Sequence, residues 1–201
     1  VSVARFSVAY ASSEGRTRVV VDHLADALRQ HGHQVTVDDV GTPSAAEALP
    51  AADAVVVAGS IHGGRMQPRL IRFASMHGVA LSERPSALMI VSMSAASSEA
   101  AVRARQHEYL ATFLANTPWR PDVVEFVAGA LRPAALGPLR RVQAARVARH
   151  VGVDPKGEVD FTDWGSVARF AQSLARWFPR VGVPIRAPGR QEPMRPEPLR
   201  W

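Results

Sequence analysis

A chain of 201 residues with 47% hydrophobic and 21% charged side chains can fold as one α/β domain around a full core. It has no cysteine, which excludes disulfides, thiolate metal sites and cysteine nucleophiles and fits a cytoplasmic setting. No apolar run reaches the roughly 18 residues that cross a bilayer, and no long apolar segment near the start marks a leader. The net charge is +6, carried almost wholly by arginine, since Lys156 is the only lysine. A guanidinium pairs bidentately with carboxylates and phosphates, so the composition points to anionic partners: acidic small molecules, lipid headgroups or nucleic acid.

In chain order, Val3–Tyr10 reads as a buried strand. Thr17–Gln30 reads as a helix, with Val20, Leu24, Ala27 and Leu28 at helical spacing and Gly32 as a stop signal. His23, His31 and His33 straddle that helix end, where solvated or capping roles are expected rather than a metal cluster. Gln34–Val37 is a second strand, and Thr42–Leu49 a loop or short helix. Ala54–Ala58 (AVVVA) is a β-branched run that predicts a central strand buried on both faces. The small-residue stretch Gly59-Ser60-Ile61-His62-Gly63-Gly64 follows it as a loop. Pro68–His77 is a helix, Pro85–Ser92 a strand, Met93–Ser98 a small polar loop and Glu99–Ala115 a helix. Asp122–Val127 is the fifth strand, and Thr162–Phe178 the last helix, with Thr162-Asp163 as its cap.

Strands thus alternate with helices, which predicts a doubly wound parallel sheet of order 2-1-3-4-5 with helices on both faces. The domain spans 1–178. Two segments fall outside this plan. Residues 129–158 form a basic insertion, expected to be helical, with Arg132, Arg140, Arg141, Arg146 and Arg149 and no acid before Asp154. Its apolar residues do not form one clean stripe, so both a membrane-surface helix through 132–150 and a helix covering the sheet edge fit. Residues 179–201 are rich in Pro and Arg and read as a disordered or loosely draped tail.

Three small-residue loops, 11–17, 59–66 and 92–98, follow strands one, three and four. In this sheet order they converge at the topological switch point, where ligands bind. The first, Ser12-Ser13-Glu14-Gly15-Arg16-Thr17, feeds a helix N-terminus, whose free N–H groups and dipole suit a phosphate. It lacks the lysine of an ATP-type P-loop and the spacing of a dinucleotide fingerprint. It matches S-x-x-G-x-T, the phosphate loop of FMN-binding flavodoxin-like proteins.

Six motifs stand in order over roughly residues 3–178: Ser12–Arg18, Gly59–Ile61 with Gly64, Pro85–Ala87 (P-S-A), Trp119–Asp122 (W-R-P-D), Ala128–Arg132 (A-G-A-L-R) and Thr162–Trp164 (T-D-W). Through them the chain resembles the flavodoxin-like, menaquinone-dependent protoporphyrinogen dehydrogenases of haem biosynthesis. The resemblance implies an FMN cofactor. Ser12, Ser13, Glu14, Gly15, Arg16 and Thr17 would hold its phosphate. Ser60, Ile61, His62, Gly63 and Gly64 with Ser92, Met93, Ser94 and Ala95 would hold the isoalloxazine ring through backbone contacts. It further implies a porphyrinogen substrate with anionic propionates, a quinone acceptor, and peripheral contact with the inner face of a membrane. The resemblance assigns no general base; His62 is the only titratable candidate in the ring-binding loops. The chain departs from its relatives in lacking an aromatic residue in these loops after Tyr10. A flavodoxin-type electron carrier, a nicotinamide-linked quinone reductase and a flavin-free binding module are the rival readings. The basic charge counts against the first. No motif supports nucleic-acid binding.

Overall fold

The computed structural model describes residues 3–62, 64–97, 99–131 and 159–177. The expected insertion beyond Leu131, up to residue 158, and the expected tail lie outside the described residues. The elements are β1 (Arg5–Tyr10), α1 (Arg16–Gln30), β2 (Gln34–Asp39), α2 (Pro43–Glu47), a 3-10 turn (Leu49–Ala51), β3 (Ala54–His62) and β4 (Arg65–Met66). After these come α3 (Pro68–Met76), α4 (Gly78–Ser82), β5 (Ser86–Ser92), a second 3-10 turn (Met93–Ala96), α5 (Ala100–Ala115) and β6 (Val123–Ala128). The short strands β7 (Ala130–Leu131) and β8 (Val159–Asp160) precede α6 (Trp164–Trp177).

The sheet runs β2-β1-β3-β5-β6 with every one of these pairings parallel, and β4 turns back antiparallel on β3. Counting the long strands alone, this is the expected 2-1-3-4-5 order. Central strands buried on both faces cannot alternate in polarity, and Val55, Val56 and Val57 of β3 are all fully buried. Alternate residues face opposite layers. Phe6, Val8 and Val56 pack with Val20, Leu24 and Leu28 of α1 and with Val167, Phe170 and Leu174 of α6. Ala9, Val57, Leu88 and Ile90 pack on the other side with Leu70 and Phe73 of α3 and with Phe113 of α5. Each buried Val, Leu, Ile or Phe among these contributes about 1.5–3 kcal/mol.

The structure revises several expectations. Gly59–His62 continues β3 rather than forming a loop; the Leu70 side chain occupies the space a Cβ on Gly59 would take, so glycine lets α3 close over the strand. Loop 92–98 contains a 3-10 turn, and α4, β4, β7 and β8 are too short for periodicity to announce. The P-S-A and W-R-P-D motifs meet at the amino-terminal edge of the sheet. The buried Trp119 indole donates to Ser86 Oγ at 3.0 Å, and the Ser86 amide donates to Asp122 Oδ2 at 2.8 Å. Asp163 caps α6 by accepting from the Ser166 amide at 3.0 Å, which holds its carboxyl below the usual range.

His33 is the clearest correction among the histidines: it is buried, not solvated. Its Nδ1 accepts from the Ala4 amide at 3.2 Å and its ring lies 5.3 Å from that of Phe6. Burial, with a smaller contribution from His31, pushes the imidazole below its ordinary value of 6.5. Because the unfolded chain binds the proton more readily, stability is complete above the ordinary value and is lost as pH falls below it. Urea denaturation at pH 7.5 and 5.5 should show this loss, and His33→Gln should shrink it; an unchanged difference removes His33 as its source.

Candidate functional site

The loops after β1, β3 and β5 leave the carboxyl edge of the sheet side by side. Register places Tyr10 beside Ala58, Ser60 beside Val91, and Ser92 beside Ala128. All three expected loops are therefore brought together, with Gly63 and Ser98 outside the described residues.

In the first loop, Gly15 adopts φ 77°, a left-handed conformation that glycine takes without strain, and caps α1. The first α1 bond runs from the Val19 amide to the Gly15 carbonyl at 3.2 Å, so the amides of Arg16, Thr17 and Arg18 fall in the first turn, where no intrahelical acceptor exists. Ser12 Oγ is buried and has no hydrogen-bond partner among the described residues. Such an orphan hydroxyl costs free energy unless a ligand satisfies it. Open space surrounds Gly15 on its Cβ side. These features fit a phosphate. Ser13 and Glu14 are exposed along the same loop, and Thr17 is buried beneath it.

The Arg16 side chain turns aside. Its Nη2 donates to Asp160 Oδ1 and to Thr162 Oγ1, and its guanidinium lies 5.0 Å from the Trp164 ring centroid. Only its backbone remains with the loop. Burial pushes the Asp160 carboxyl up, but the Thr162 amide and the Arg16 guanidinium outweigh it and hold the group below the usual range. Arg18 is likewise engaged: it bonds both Asp22 carboxylate oxygens at 2.8 and 2.7 Å and the Tyr10 hydroxyl at 2.9 Å.

The second and third loops are built differently. Ile61 pairs with Met66 and His62 with Arg65, forming a hairpin closed by Gly64 at φ 76°. Tyr109 of α5 packs against Gly64, its hydroxyl 3.3 Å from where a Cβ would lie. An aromatic ring thus reaches the second loop from a helix, although the loops themselves carry none. In the third, Ser92 Oγ and Ser94 Oγ are 3.1 Å apart, and the buried Gln106 donates to Ser94 Oγ at 2.9 Å. Met93 and Ala95 lie in the 3-10 turn beside them.

Gln67 joins the first two loops. With its amide oriented to satisfy both ends, it donates to the Ala11 carbonyl at 2.8 Å and accepts from Ser13 Oγ at 2.8 Å, the Ser13 amide at 3.2 Å and Ser60 Oγ at 3.1 Å. It is 5% exposed and precedes Pro68, the first residue of α3. Sequence reasoning missed Gln67, Gln106 and Tyr109. Gln106 did leave a signal: it shares an i, i+4, i+7 stripe with Leu110 and Phe113, the buried side of α5. Gln67→Leu strips partners from the Ala11 carbonyl and the Ser13 amide, at a cost on the order of 1–3 kcal/mol. A lower thermal midpoint of the cofactor-free protein is the expected result, and wild-type stability would remove Gln67 from this role.

Residues 7–155 match the flavodoxin domain family model. "Protoporphyrinogen IX dehydrogenase [quinone]" of Escherichia coli (strain K12) is 30% identical over 170 residues, spanning 84% of this chain and 93% of that protein. The protein of the same name from Leishmania major is 27% identical over 187 residues, spanning 90% of this chain and 76% of that one. Among solved structures, oxidised flavodoxin 1 from Bacillus cereus superposes with a TM-score of 0.52 at 13% identity, covering 88% of this chain and all of that one, a likeness of fold. The chain belongs to the flavodoxin domain family, in the group that includes the protoporphyrinogen IX dehydrogenases.

Proposed function

We propose that the chain is an FMN-dependent oxidoreductase that removes hydrogens from a porphyrinogen and passes the electrons to a quinone. The observation that carries this reading is the buried Ser12 hydroxyl, unpartnered among the described residues, in a loop of first-turn amides: a donor set matched to a phosphate monoester. The names of the relatives supply the substrate and acceptor.

Bound FMN supplies the hydride and electron chemistry of its isoalloxazine ring. The chain's own residues would bind and orient it. Ser12 and the amides of residues 16–18 would receive the phosphate, while Ser13, expected beside them, gives its hydroxyl and amide to Gln67. Ser60–Gly64 and Ser92–Ala95 would flank the ring, with Gln67 fixing the spacing between the first two loops. Tyr109 offers an apolar face beside Gly64, where a planar ring system would find aromatic contact. The net charge of +6 suits an anionic substrate better than the docking surface of an electron carrier.

Two tests follow. In the first, FMN is titrated into the purified protein by quenching of flavin fluorescence, and anaerobic porphyrinogen oxidation is measured with a soluble quinone. Ser12→Ala should weaken FMN binding by roughly tenfold or more, the worth of a hydrogen bond to a charged group. It should leave the cofactor-free protein at least as stable as wild type, because it deletes an unpaired polar atom. Unchanged affinity sinks the loop assignment, and flavin binding without quinone-coupled oxidation sinks the substrate assignment. The second concerns a peripheral membrane contact. Among the described residues no helix is long and apolar enough to cross a bilayer. The sequence-based proposal rests on Arg140, Arg141, Arg146 and Arg149, which lie outside the described residues. Changing all four to Gln should reduce co-sedimentation with anionic vesicles; a wild-type protein that ignores such vesicles ends the proposal.

A further inference from the structure

The structure assigns Arg16 a positioning role: its side chain ties the phosphate-receiving loop to the β7–β8 stem and the start of α6, so that phosphate occupancy and the stem are coupled. This rests on the reading that the first loop receives the FMN phosphate.

Arg16 stands at the first position of α1, so its amide belongs to the anion-facing turn. Its side chain nevertheless runs the other way and is only 13% exposed. Nη2 meets Asp160 on β8 and reaches Thr162 Oγ1 at 2.5 Å, while Trp164 covers the guanidinium. Nε is buried without a partner among the described residues, so the group is held by its Nη end and its stacked face.

The acceptors are themselves fixed. The Thr162 amide donates to Asp160 Oδ1 at 2.9 Å, and Thr162 Oγ1 donates to the Ala128 carbonyl at 2.9 Å. The Phe161 amide reaches the Gly129 carbonyl at 3.3 Å, and the Gly129 amide reaches the Ser92 carbonyl at 3.1 Å. A continuous path of hydrogen bonds therefore runs from the first loop, through the stem, to the third. The A-G-A-L-R and T-D-W motifs supply its middle. Asp160 neutralises Arg16, so the guanidinium acts on the phosphate through the loop backbone and not as a direct counter-ion. One guanidinium nitrogen serves the acid and the hydroxyl while the planar face stacks on the ring, a combination that lysine, a point charge, does not offer. Linkage makes the coupling reciprocal: a phosphate that favours the held loop stabilises the stem to the same extent.

The test compares FMN with riboflavin, which lacks the phosphate, in wild type, Arg16→Gln and Asp160→Asn, together with hydrogen exchange of the segment 159–164. Wild type should prefer FMN, and FMN but not riboflavin should slow exchange at 159–164. Arg16→Gln should reduce the FMN-over-riboflavin preference roughly tenfold and abolish the FMN-induced protection. Asp160→Asn should move both readouts in the same direction from the stem side, and it decides the matter if Arg16→Gln fails to fold. A variant that keeps the wild-type preference and protection overturns the inference. So does one that loses both flavins by the same factor, which is the mark of a merely structural role. A wild type that does not distinguish the two flavins overturns the phosphate-loop reading itself, and the inference with it.

Discussion

The parallel pairing of β1 with β3, from Phe6 beside Ala54 to Tyr10 beside Ala58, is the constraint on which the site depends. From β1 the chain goes one way to β2, then crosses back to place β3 on the other side. The loop after β1 therefore leads to α1 on one face, and the loop after β3 leads towards α3 on the opposite face. Two helices departing to opposite faces leave a crevice between the loops, the switch point at which open α/β sheets bind ligands. Gln67 bridges that crevice at its base, where a buried amide can satisfy both walls at once.

Much of this was legible in the residues. The AVVVA run could only be a central strand, and the Val20, Leu24 and Leu28 spacing could only bury one helix face; all of these side chains are fully buried. The first and third loops were legible because small residues cluster where each strand run ends; the second was read too early, since Gly59–His62 continues β3. What escaped the reading depends on long-range contact. His33 is buried against Phe6, and its ring accepts from the amide of Ala4, just before β1 and 29 residues away. Gly59 lies within β3, and its missing Cβ leaves the room that Leu70, eleven residues on, takes. Gln67 looks like an ordinary polar residue before a proline, and nothing local distinguishes it from a solvated one. Tyr109 reaches the second loop from a helix whose sequence gives no hint of that neighbour.

Charge also reads differently once placed. Several arginines that composition offered as anion binders have local partners: Arg5 with Asp53, Arg29 with Asp26, Arg69 with Asp39 and Arg169 with Asp163. Exposed pairs of this kind contribute about 0–1 kcal/mol each. They tune solubility and local geometry more than they hold the fold. Arg16 differs because it is shielded, stacked and shared between two elements, so that its electrostatics serve geometry in place of attraction.

The Trp119–Ser86–Asp122 cluster sits at the amino-terminal edge of the sheet, opposite the crevice. Two of the motifs that advertise kinship, P-S-A and W-R-P-D, are thus a foundation, laid at the far end from the crevice. A descendant could abandon flavin altogether and still carry P-S-A and W-R-P-D intact, because its β5 and β6 would need them as before. The Ser12 hydroxyl and the Gln67 amide lie at the carboxyl edge instead, so they can diverge without touching that foundation.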